Sequence, residues 1–359
     1  MKAAIMRNQQ LIVDDVATPD PGPGEVLVKT LACGICGSDL HALRHGQEFV
    51  DTSNRTGNIF DMDLSRDVVM GHEFCAEVVD YGPDTERTIK PGTPVCAMPV
   101  LLRPDGAKTV GYSNEHPGGY GEYMRLSESL LLPVPNGLST DLAALTEPLA
   151  VGLHAVEKAR MDDDDVPLVI GCGPVGLSVI SALKARDSRP IIAADYSTRR
   201  RELALTMGAD IVIDPAETSP YTSWREAATI DEPGRILPSW KRGPLLHGAV
   251  IFECVGVPGI INQIMEQAPK NTRIIVVGVC MQQDHFEPIF GINKEINLQF
   301  VLAYSGEEFA RTLNNIAAGV TDVTPLITAK IGIGAVAQAF DDLTSPDHHA
   351  KILVEPWRR

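Results

Sequence analysis

The chain has 359 residues, of which 44% are hydrophobic and 22% charged, as in an average globular protein that is long enough for two domains. Its formal net charge of −16 argues against a nucleic-acid partner or a basic membrane-binding face, and neither a secretory signal nor a membrane-spanning run is expected. The 7 cysteines are scattered and odd in number, which predicts free thiols in a reducing compartment, the cytoplasm.

The first third of the chain is predicted to be rich in β-structure. Short runs beside Pro/Gly turns, as in "PGPGEVLVKTLAC", "FCAEVVDYG" and "KPGTPVCAMPV", are typical of strands. The polar, mixed segment 46–67 is predicted to be a loop or insertion, and its length indicates a functional or mobile element.

After about residue 140, predicted helices and strands alternate. A helix is predicted over 141–160, and "VPLVIGCGPVGLSVISALKARD" then predicts a strand, a glycine turn and a helix. The apolar strands "PIIAADYS", "HGAVIFECVG" and "NTRIIVVGVC" follow, separated by helix-like segments. This alternation predicts right-handed βαβ units and a doubly wound parallel sheet. The last stretch, "HHAKILVEPWRR", predicts a strand that rejoins the first domain.

The stretch "GCGPVG", residues 171–176, has the pattern G-x-G-x-x-G between a predicted strand and a predicted helix. Gly171 permits the tight turn, Gly173 lets the backbone approach a pyrophosphate, and Gly176 lets helix and strand pack closely. The helix N-terminus, which includes Pro174 and Val175, offers N–H groups to phosphates. The alternative is a purely structural glycine turn.

Asp195 ends the next predicted strand, where an acid can bind the adenosine ribose hydroxyls. Its charge would repel a 2′-phosphate, so we expect NAD rather than NADP. Arg199, Arg200 and Arg201 follow closely, and such a basic cluster could instead hold that phosphate. NADP therefore stays open, and Arg200 is a further candidate for cofactor binding.

The stretch "ACGICGSDLH" contains Cys33 and Cys36 in a C-x-x-C spacing that would suit a redox pair or half of a zinc ribbon. A ribbon needs a second pair, which the later cysteines do not supply, and a redox pair is expected in a βαβ unit rather than in a β-rich region. His72 and Glu73 follow beside another strand. A thiolate, an imidazole and nearby carboxylates suit a catalytic zinc with an open position.

The segments "CGICGSDLH", "GHEFCAEVV", "EPLAVGLHA" and "GCGPVG" occur in this order. Together they resemble the zinc-dependent medium-chain alcohol and polyol dehydrogenases, and the resemblance covers nearly the whole chain. It implies a GroES-like β-rich catalytic domain, residues 1–147 with 304–359, and a Rossmann NAD-binding domain, residues 148–303. The implied reaction is zinc-dependent transfer of a hydride from a secondary alcohol or polyol to NAD, and its reverse.

The resemblance also implies roles for the residues around the metal. Cys36 and His72 would bind zinc, the third ligand position falls on Glu147, and Glu73 would lie behind the metal as an indirect or transient ligand. Asp39 would orient His72 through its other ring nitrogen.

Further residues take roles in proton transfer and cofactor binding by the same resemblance. Ser38 would contact the substrate oxygen, and His41 would pass the proton toward solvent. Cys33 would serve packing, and Lys351 would lie near the pyrophosphate. The nicotinamide would lie beside three residues that follow strand ends, namely Val255, Val277 and Val279.

The sequence departs from the family in two places. Many members hold a second, structural zinc with four closely spaced cysteines, but the corresponding stretch, residues 99–123, has none. We therefore expect one zinc per chain. The interval between Cys36 and His72 is also longer than usual because of the segment 46–67, which could cover the active site, modify the substrate pocket or be a surface elaboration.

Two other functions remain possible from the sequence. One is a zinc-free, NADPH-dependent quinone or enoyl reductase on the same fold, and the other is a nucleotide-binding protein without catalysis. The combination of Cys36, His72 and Glu147 argues against the first, and the intact Ser38 and His41 argue against the second. The expected partner is a small alcohol or carbonyl compound. A homodimer or homotetramer, paired through an edge strand near 296–302, is also expected.

Overall fold

In a computed structural model, the chain forms two compact units, unit 1 (residues 1–150 and 304–359) and unit 2 (residues 151–303). The structure describes residues 1–57, 60, 62–135, 137–230 and 244–358. Among the helices so described, none is long and apolar enough to cross a membrane.

The strands are numbered in chain order across the described residues. They are β1 (Lys2–Arg7), β2 (Gln10–Asp15), β3 (Glu25–Gly34), β4 (Glu73–Tyr81), β5 (Pro94–Cys96), β6 (Val100–Arg103), β7 (Gly106–Thr109), β8 (Tyr123–Ser127), β9 (Leu132–Pro133), β10 (Val166–Ile170), β11 (Ile192–Ala194), β12 (Ile211–Ile213), β13 (Ala249–Glu253), β14 (Arg273–Val276), β15 (Asn297–Phe300), β16 (Ile327–Ile331) and β17 (Lys351–Val354).

The helices are numbered in the same way, and short 3₁₀ turns lie at Glu128–Leu130, Thr324–Leu326 and Ile333–Ala335. The α-helices are α1 (Gly37–Arg44), α2 (Gly46–Arg55), α3 (Thr140–Ala144), α4 (Thr146–Ala159), α5 (Pro174–Ala185), α6 (Thr198–Met207), α7 (Pro220–Ala227), α8 (Ile260–Gln267), α9 (Pro288–Lys294), α10 (Gly306–Ala317) and α11 (Val336–Asp342).

Unit 1 is built around a sheet in the order β16-β17-β3-β4-β5-β9, in which β8 also pairs with β3. The central strand β3 runs antiparallel to β4, β8 and β17, and most of its residues are buried. The β17 strand, near the C-terminus, pairs with both β3 and β16. The prediction of a β-rich N-terminal region is confirmed.

Unit 2 contains a sheet whose strands are all parallel, in the order β12-β11-β10-β13-β14-β15. The central strands β10 and β13 are buried along their whole length, as expected for a sheet covered on both faces. Trp224 of α7 is buried against this sheet and donates from Nε1 to the Val166 carbonyl, 2.9 Å away. The predicted doubly wound parallel sheet is confirmed.

The prediction of a loop over residues 46–67 is wrong for its first half, which forms α2. Phe49 and Ser53 lie one turn apart on this helix and are buried, whereas most of their neighbours are polar and exposed. The apolar residues of this helix lie on one face, but polar residues predominate in its composition, and that composition suggested a loop. Residues 58, 59 and 61 of this segment lie outside the described residues.

The single helix predicted over 141–160 is in fact two helices, α3 and α4. The Ser139 side chain accepts a hydrogen bond from the Leu142 N–H at the start of α3. Pro148 has no N–H to donate and fits the first turn of a helix, which explains why a new helix begins at Thr146. Glu147 therefore lies in the first turn of α4.

The cysteine-free stretch 99–123 contains the hairpin of β6 and β7. Buried Glu25 of β3 accepts hydrogen bonds from Arg103 Nε at 2.9 Å and Nη2 at 2.6 Å. Arg125 Nε lies 3.7 Å from the same carboxylate. This ion-pair network attaches the hairpin to the central strand of unit 1.

Candidate active site

The candidate metal ligands meet where two paired strands of unit 1 adjoin a helix. The antiparallel register of β3 and β4 places Gly34 opposite Glu73, so Cys36, just past β3, lies near His72, just before β4. One ligand atom each of Cys36, His72 and Glu73 lies within 4.8 Å of the others. Among the described residues, this is the only group of three or more such side chains.

The donor atoms of this group fit a zinc ion. His72 is buried and turns Nδ1 toward Asp39, whose Oδ1 lies 3.5 Å away, without a hydrogen bond of good geometry. This orientation leaves Nε2 as the ligand atom, the arrangement in which a carboxylate behind the ring supports a zinc-bound imidazole. A thiol sulfur, an imidazole nitrogen and a carboxylate oxygen together are the donors that zinc prefers.

Asp39 is completely buried and held by several donors. Its Oδ2 accepts from the Tyr120 hydroxyl at 2.7 Å and from the Cys36 N–H at 3.0 Å, and the Tyr112 oxygen lies 2.9 Å from its Oδ1. Burial alone would raise the pKa of Asp39, but the neighbouring His72 and these hydrogen bonds hold it below its usual value. Asp39 is therefore a carboxylate whose position is fixed from all sides.

Glu73 is also fully buried, and its charge is compensated by a buried lysine. The Lys351 ammonium donates to Glu73 Oε1 at 2.6 Å, to Oε2 at 2.7 Å and to the Ile35 carbonyl at 3.0 Å. The Lys351 side chain is 2% exposed, so the expectation that it lies near the pyrophosphate is wrong. A buried ammonium with these three acceptors has no capacity left for a phosphate.

Gly34 is required by this ion pair. A Cβ atom at this position would lie 2.0 Å from Glu73 Oε2 and 3.2 Å from the Glu73 Cβ. Any larger residue would therefore displace the carboxylate. The glycine that follows Cys33 in "CGIC" has a steric function that the sequence alone does not reveal.

Glu147 lies beside this group but outside the 4.8 Å set. Its Oε1 accepts a hydrogen bond of 2.8 Å from the Tyr304 hydroxyl, and Tyr304 is itself buried. Burial raises the pKa of Glu147 to about 7, against the opposing charge of His72. The structure thus places Glu73 closer to the Cys36–His72 pair than Glu147.

Ser38 and His41 both lie on α1, which begins directly after Cys36. Ser38 Oγ lies 2.7 Å from the Tyr112 oxygen. His41 is half-buried, and this burial, together with His45 and Arg44, lowers its pKa below the usual value. Cys33 is fully buried, its pKa is raised by burial, and its sulfur packs against Gly71 and Gly119.

In unit 2 the three glycines of the G-x-G-x-x-G motif have different surroundings. Gly171 has a φ of +90°, which favours glycine, and a Cβ on Gly176 would lie 1.9 Å from the Gly171 oxygen. Gly173 is the residue before α5, with Pro174 and Val175 in the first turn, and it has no neighbour closer than the Arg200 guanidinium, 3.8 Å from an added Cβ. The backbone at Gly173 is therefore open to a ligand.

Asp195 follows β11 and holds the same glycine turn. Its Oδ2 accepts from the Cys172 N–H and its Oδ1 from the Ser197 N–H, both at 2.8 Å. Arg200 Nη1 lies 3.9 Å from Asp195 Oδ2, and its Nε is buried without a hydrogen-bond partner among the described residues. Arg201 instead pairs with Asp214 at 2.9 Å.

The three valines assigned to the nicotinamide follow the ends of β13 and β14. Val255 and Val279 are exposed, whereas the Val277 side chain is buried. Val277 can therefore contribute its backbone rather than its side chain.

Sequence reasoning missed three tyrosines, Tyr112, Tyr120 and Tyr304, whose hydroxyls lie against the site carboxylates. No local motif marks them, because they come from segments far along the chain from their partners. The glycines around Tyr112 and Tyr120 in "GYSNEHPGGYGEY" indicate close backbone packing, but not what the tyrosines contact.

Comparison with known proteins then defines the family. The model of the "Alcohol dehydrogenase GroES-like domain" matches residues 22–136, and that of the "Zinc-binding dehydrogenase" matches residues 174–318. The (R,R)-butanediol dehydrogenase of Bacillus subtilis (strain 168) is 30% identical over 371 residues, covering 99% of this chain and 100% of that protein. The chain belongs to the zinc-dependent medium-chain alcohol dehydrogenase family.

Further comparisons agree with this assignment. Sorbitol dehydrogenase of Bacillus subtilis (strain 168) is 26% identical and covers 100% of this chain and 98% of its own length. The crystal structure of 2R,3R-butanediol dehydrogenase from Bacillus subtilis superposes with a TM-score of 0.82 at 28% identity, covering 99% of each chain. The predicted GroES-like and Rossmann folds are confirmed. The protein is a nicotinamide-dependent dehydrogenase acting on CH–OH groups, and the reductase and non-catalytic alternatives are not favoured.

The buried ion pair of this dehydrogenase leads to a stability prediction. Replacing Lys351→Met leaves the Glu73 charge buried without a partner, so we expect the free energy of unfolding to fall by about 3–5 kcal/mol. A further Glu73→Gln replacement in the same chain removes the unpaired charge and should restore part of that loss. The measurement is the urea midpoint of unfolding followed by fluorescence.

The matched control is Lys330→Met. Lys330 pairs with Asp141 and Glu355 at the surface of the same unit, so its loss should change the stability by about 1 kcal/mol or less. Equal midpoints for Lys351→Met and the wild type would show that the buried pair does not stabilise unit 1.

Proposed function

We propose that this protein oxidises a secondary alcohol or polyol with NAD, and reduces the corresponding carbonyl in reverse, through one zinc ion held by Cys36, His72 and a carboxylate of Glu73 or Glu147. The observation that carries the proposal is the Cys36–His72–Glu73 group, with Asp39 behind the imidazole. In this proposal unit 1 is the catalytic domain and unit 2 is the nucleotide-binding domain.

The residues of unit 1 prepare the reaction in distinct ways. Zinc, when bound, supplies a Lewis acid that makes an alcohol hydroxyl acidic near neutral pH, and the nicotinamide accepts the hydride. Asp39 fixes the His72 ring, and Lys351 compensates the second buried carboxylate. Ser38 contacts the substrate oxygen, and His41, whose lowered pKa keeps it neutral at pH 7, passes the proton toward solvent.

The residues of unit 2 favour a dinucleotide at the N-terminus of α5. The open backbone at Gly173 and the free N–H groups of the first helical turn suit a pyrophosphate. Asp195 suits the ribose hydroxyls of NAD, and Arg200 beside it is the residue through which NADP would bind.

The substrate is proposed to carry adjacent hydroxyl groups. The relatives act on (R,R)-butanediol and on sorbitol, and the solved structure is that of a 2R,3R-butanediol dehydrogenase. A carboxylate such as Glu147, next to the metal ligands, is able to accept a hydrogen bond from a second hydroxyl. We also place the protein in the cytoplasm, because all seven of its cysteines are free thiols.

The zinc content tests the proposal directly. We expect one zinc ion per chain in the purified protein and a nearly complete loss of zinc and of turnover in Cys36→Ser, measured by elemental mass spectrometry and by NAD reduction. Cys33→Ser is the matched control, because Cys33 belongs to the same C-x-x-C but packs against glycines. It should keep its zinc.

Two results would contradict this proposal. A wild-type protein that cannot be loaded with zinc would return the zinc-free reductase to consideration. Two zinc ions per chain, one of them retained in Cys36→Ser, would show that a second metal site exists in spite of the missing cysteines.

Cofactor choice is tested at Asp195. Asp195→Asn removes the carboxylate that suits the ribose hydroxyls of NAD, so we expect the KM for NAD to rise about 10–100-fold. The repulsion of a 2′-phosphate is removed as well, so the KM for NADP should fall. Glu202→Ala, an exposed acid on α6, should change neither value by more than about twofold. A wild-type enzyme that prefers NADP would contradict the role of Asp195 in cofactor choice. Arg200 would then be the residue that determines this choice.

We propose further that the enzyme is a homodimer or homotetramer paired through β15. This strand is the last in the described sheet of unit 2, and Phe300 and Leu302 beside its end are 64% and 70% exposed. An exposed strand edge with apolar side chains favours pairing with another copy.

A charge at this edge should separate the subunits. We expect Phe300→Lys to sediment with the mass of one chain in analytical ultracentrifugation, whereas the wild type sediments as a dimer or tetramer. Leu102→Lys places the same charge on an exposed apolar residue of unit 1 and should leave the mass of the assembly unchanged. A monomeric wild type would refute this proposal.

A further inference from the structure

The Tyr112 side chain connects Ser38 and Asp39, two residues of the candidate site for which different roles are expected from the sequence. It is buried, and its hydroxyl oxygen lies 2.7 Å from Ser38 Oγ and 2.9 Å from Asp39 Oδ1. Ser38 is the residue proposed to contact the substrate oxygen, and Asp39 is the carboxylate behind His72. A single phenol therefore bridges the substrate side and the metal side of unit 1.

The hydrogen-bond capacities of the three groups determine the direction of this bridge. The Asp39 carboxylate has no proton to give, and the Tyr112 hydroxyl carries one. Asp39 Oδ1 lacks another well-formed hydrogen bond, because His72 Nδ1 lies 3.5 Å away, whereas Oδ2 is already bound by Tyr120 and the Cys36 N–H. Tyr112 therefore donates to Asp39 Oδ1, since a charged acceptor binds the proton more strongly than a serine oxygen.

Because the Tyr112 hydroxyl uses its one proton in the hydrogen bond to Asp39, its oxygen can only accept a hydrogen bond from Ser38. The Ser38 hydroxyl then points its proton at Tyr112, which leaves the lone pairs of Oγ free. A serine held in this way is prepared to accept a hydrogen bond from the hydroxyl of an alcohol. Without Tyr112, the serine proton could rotate toward the substrate and present a donor instead.

Two phenylalanines, Phe49 and Phe60, hold the Tyr112 ring in place. Phe49 and Phe60 stack with ring centroids 4.6 Å apart, and they lie 5.4 Å and 4.9 Å from the Tyr112 ring. The Phe60 N–H is bound by Ser53 Oγ of α2 at 2.7 Å. The His72 ring lies 5.1 Å from Tyr112.

We propose that Tyr112 is a positioning residue that sets Ser38 as a hydrogen-bond acceptor for the substrate hydroxyl, and that Phe49 and Phe60 belong to the candidate site because they hold Tyr112 in place. This inference rests on the proposed contact of Ser38 with substrate. It gives Phe49 and Phe60 a function in the candidate site, one of the alternatives that the length of the segment 46–67 left open.

A double-mutant cycle tests whether Tyr112 acts through Ser38. Tyr112→Phe keeps the ring and its aromatic contacts but removes the hydroxyl. We expect it to lower kcat/KM for alcohol oxidation about 5–20-fold in the wild-type background and less than twofold in Ser38→Ala, because the serine is then absent. Zinc per chain and the affinity for NADH, measured by fluorescence, should stay at the wild-type values.

Tyr120→Phe is the matched control. It removes the other phenol hydroxyl from Asp39, but that hydroxyl does not contact Ser38. Its effect on kcat/KM should therefore be the same in the Ser38 and Ser38→Ala backgrounds. Phe49→Leu tests the aromatic contacts with Tyr112. We expect it to lower kcat/KM, as Tyr112→Phe does, and we expect this decrease to disappear in the Ser38→Ala background.

The possible failures are distinguishable. A Tyr112→Phe effect of equal size in both backgrounds, or no effect beside a clear loss in Ser38→Ala, would overturn the inference and leave the proposed function standing. Full activity of Ser38→Ala would overturn the proposed role of Ser38 itself. Loss of zinc in Tyr112→Phe would show that the phenol acts through Asp39 and His72 instead.

Discussion

The buried ion pair between Glu73 and Lys351 is the interaction on which the candidate site depends. A buried charge is tolerated only when a charge of opposite sign lies close to it. Here the partner of Glu73 on β4 is Lys351 on β17, near the C-terminus. Because Lys351 also donates to the Ile35 carbonyl, next to Cys36, the lysine joins both strands that carry the ligands. The β17 strand therefore contributes to the candidate metal site as well as to the sheet.

Local chemistry in the sequence was sufficient to predict the parts of the site that lie close together along the chain. Cys36, Ser38 and Asp39 occur within four consecutive residues, so their spacing limited the roles that they could have. The glycine turn directly precedes its helix, which is the context of a dinucleotide-binding motif. The parallel sheet followed from apolar runs of strand length separated by helical segments. These predictions depend on neighbours in sequence, which is why the structure confirmed the fold they implied.

The remaining parts depend on partners that sequence spacing does not connect. Lys351 was expected near a phosphate, because nothing in "AKILVEP" indicates that its ammonium is buried against Glu73. The α2 helix was missed because most of its residues are polar, although its few apolar residues lie on one face. The tyrosine that bridges Ser38 and Asp39 lies in a stretch noted only for its missing cysteines. In each case the decisive information was a long-range contact.

The stretch 99–123, which contains no cysteine, is held in place by an ion pair and by aromatic contacts. The β6–β7 hairpin in this stretch is attached to β3 through Glu25 and Arg103. That ion pair fixes the hairpin, and the hydroxyl oxygen of Tyr112, shortly after β7, lies 2.7 Å from Ser38 Oγ. Hydrogen bonds of a phenol are directional, so Tyr112 can orient Ser38 only if the backbone of the stretch 99–123 is held firmly. The ion pair of Glu25 with Arg103 and the aromatic contacts of Tyr112 with Phe49 and Phe60 both meet that condition, so residues from the interval before His72 help to hold Tyr112 in the candidate site.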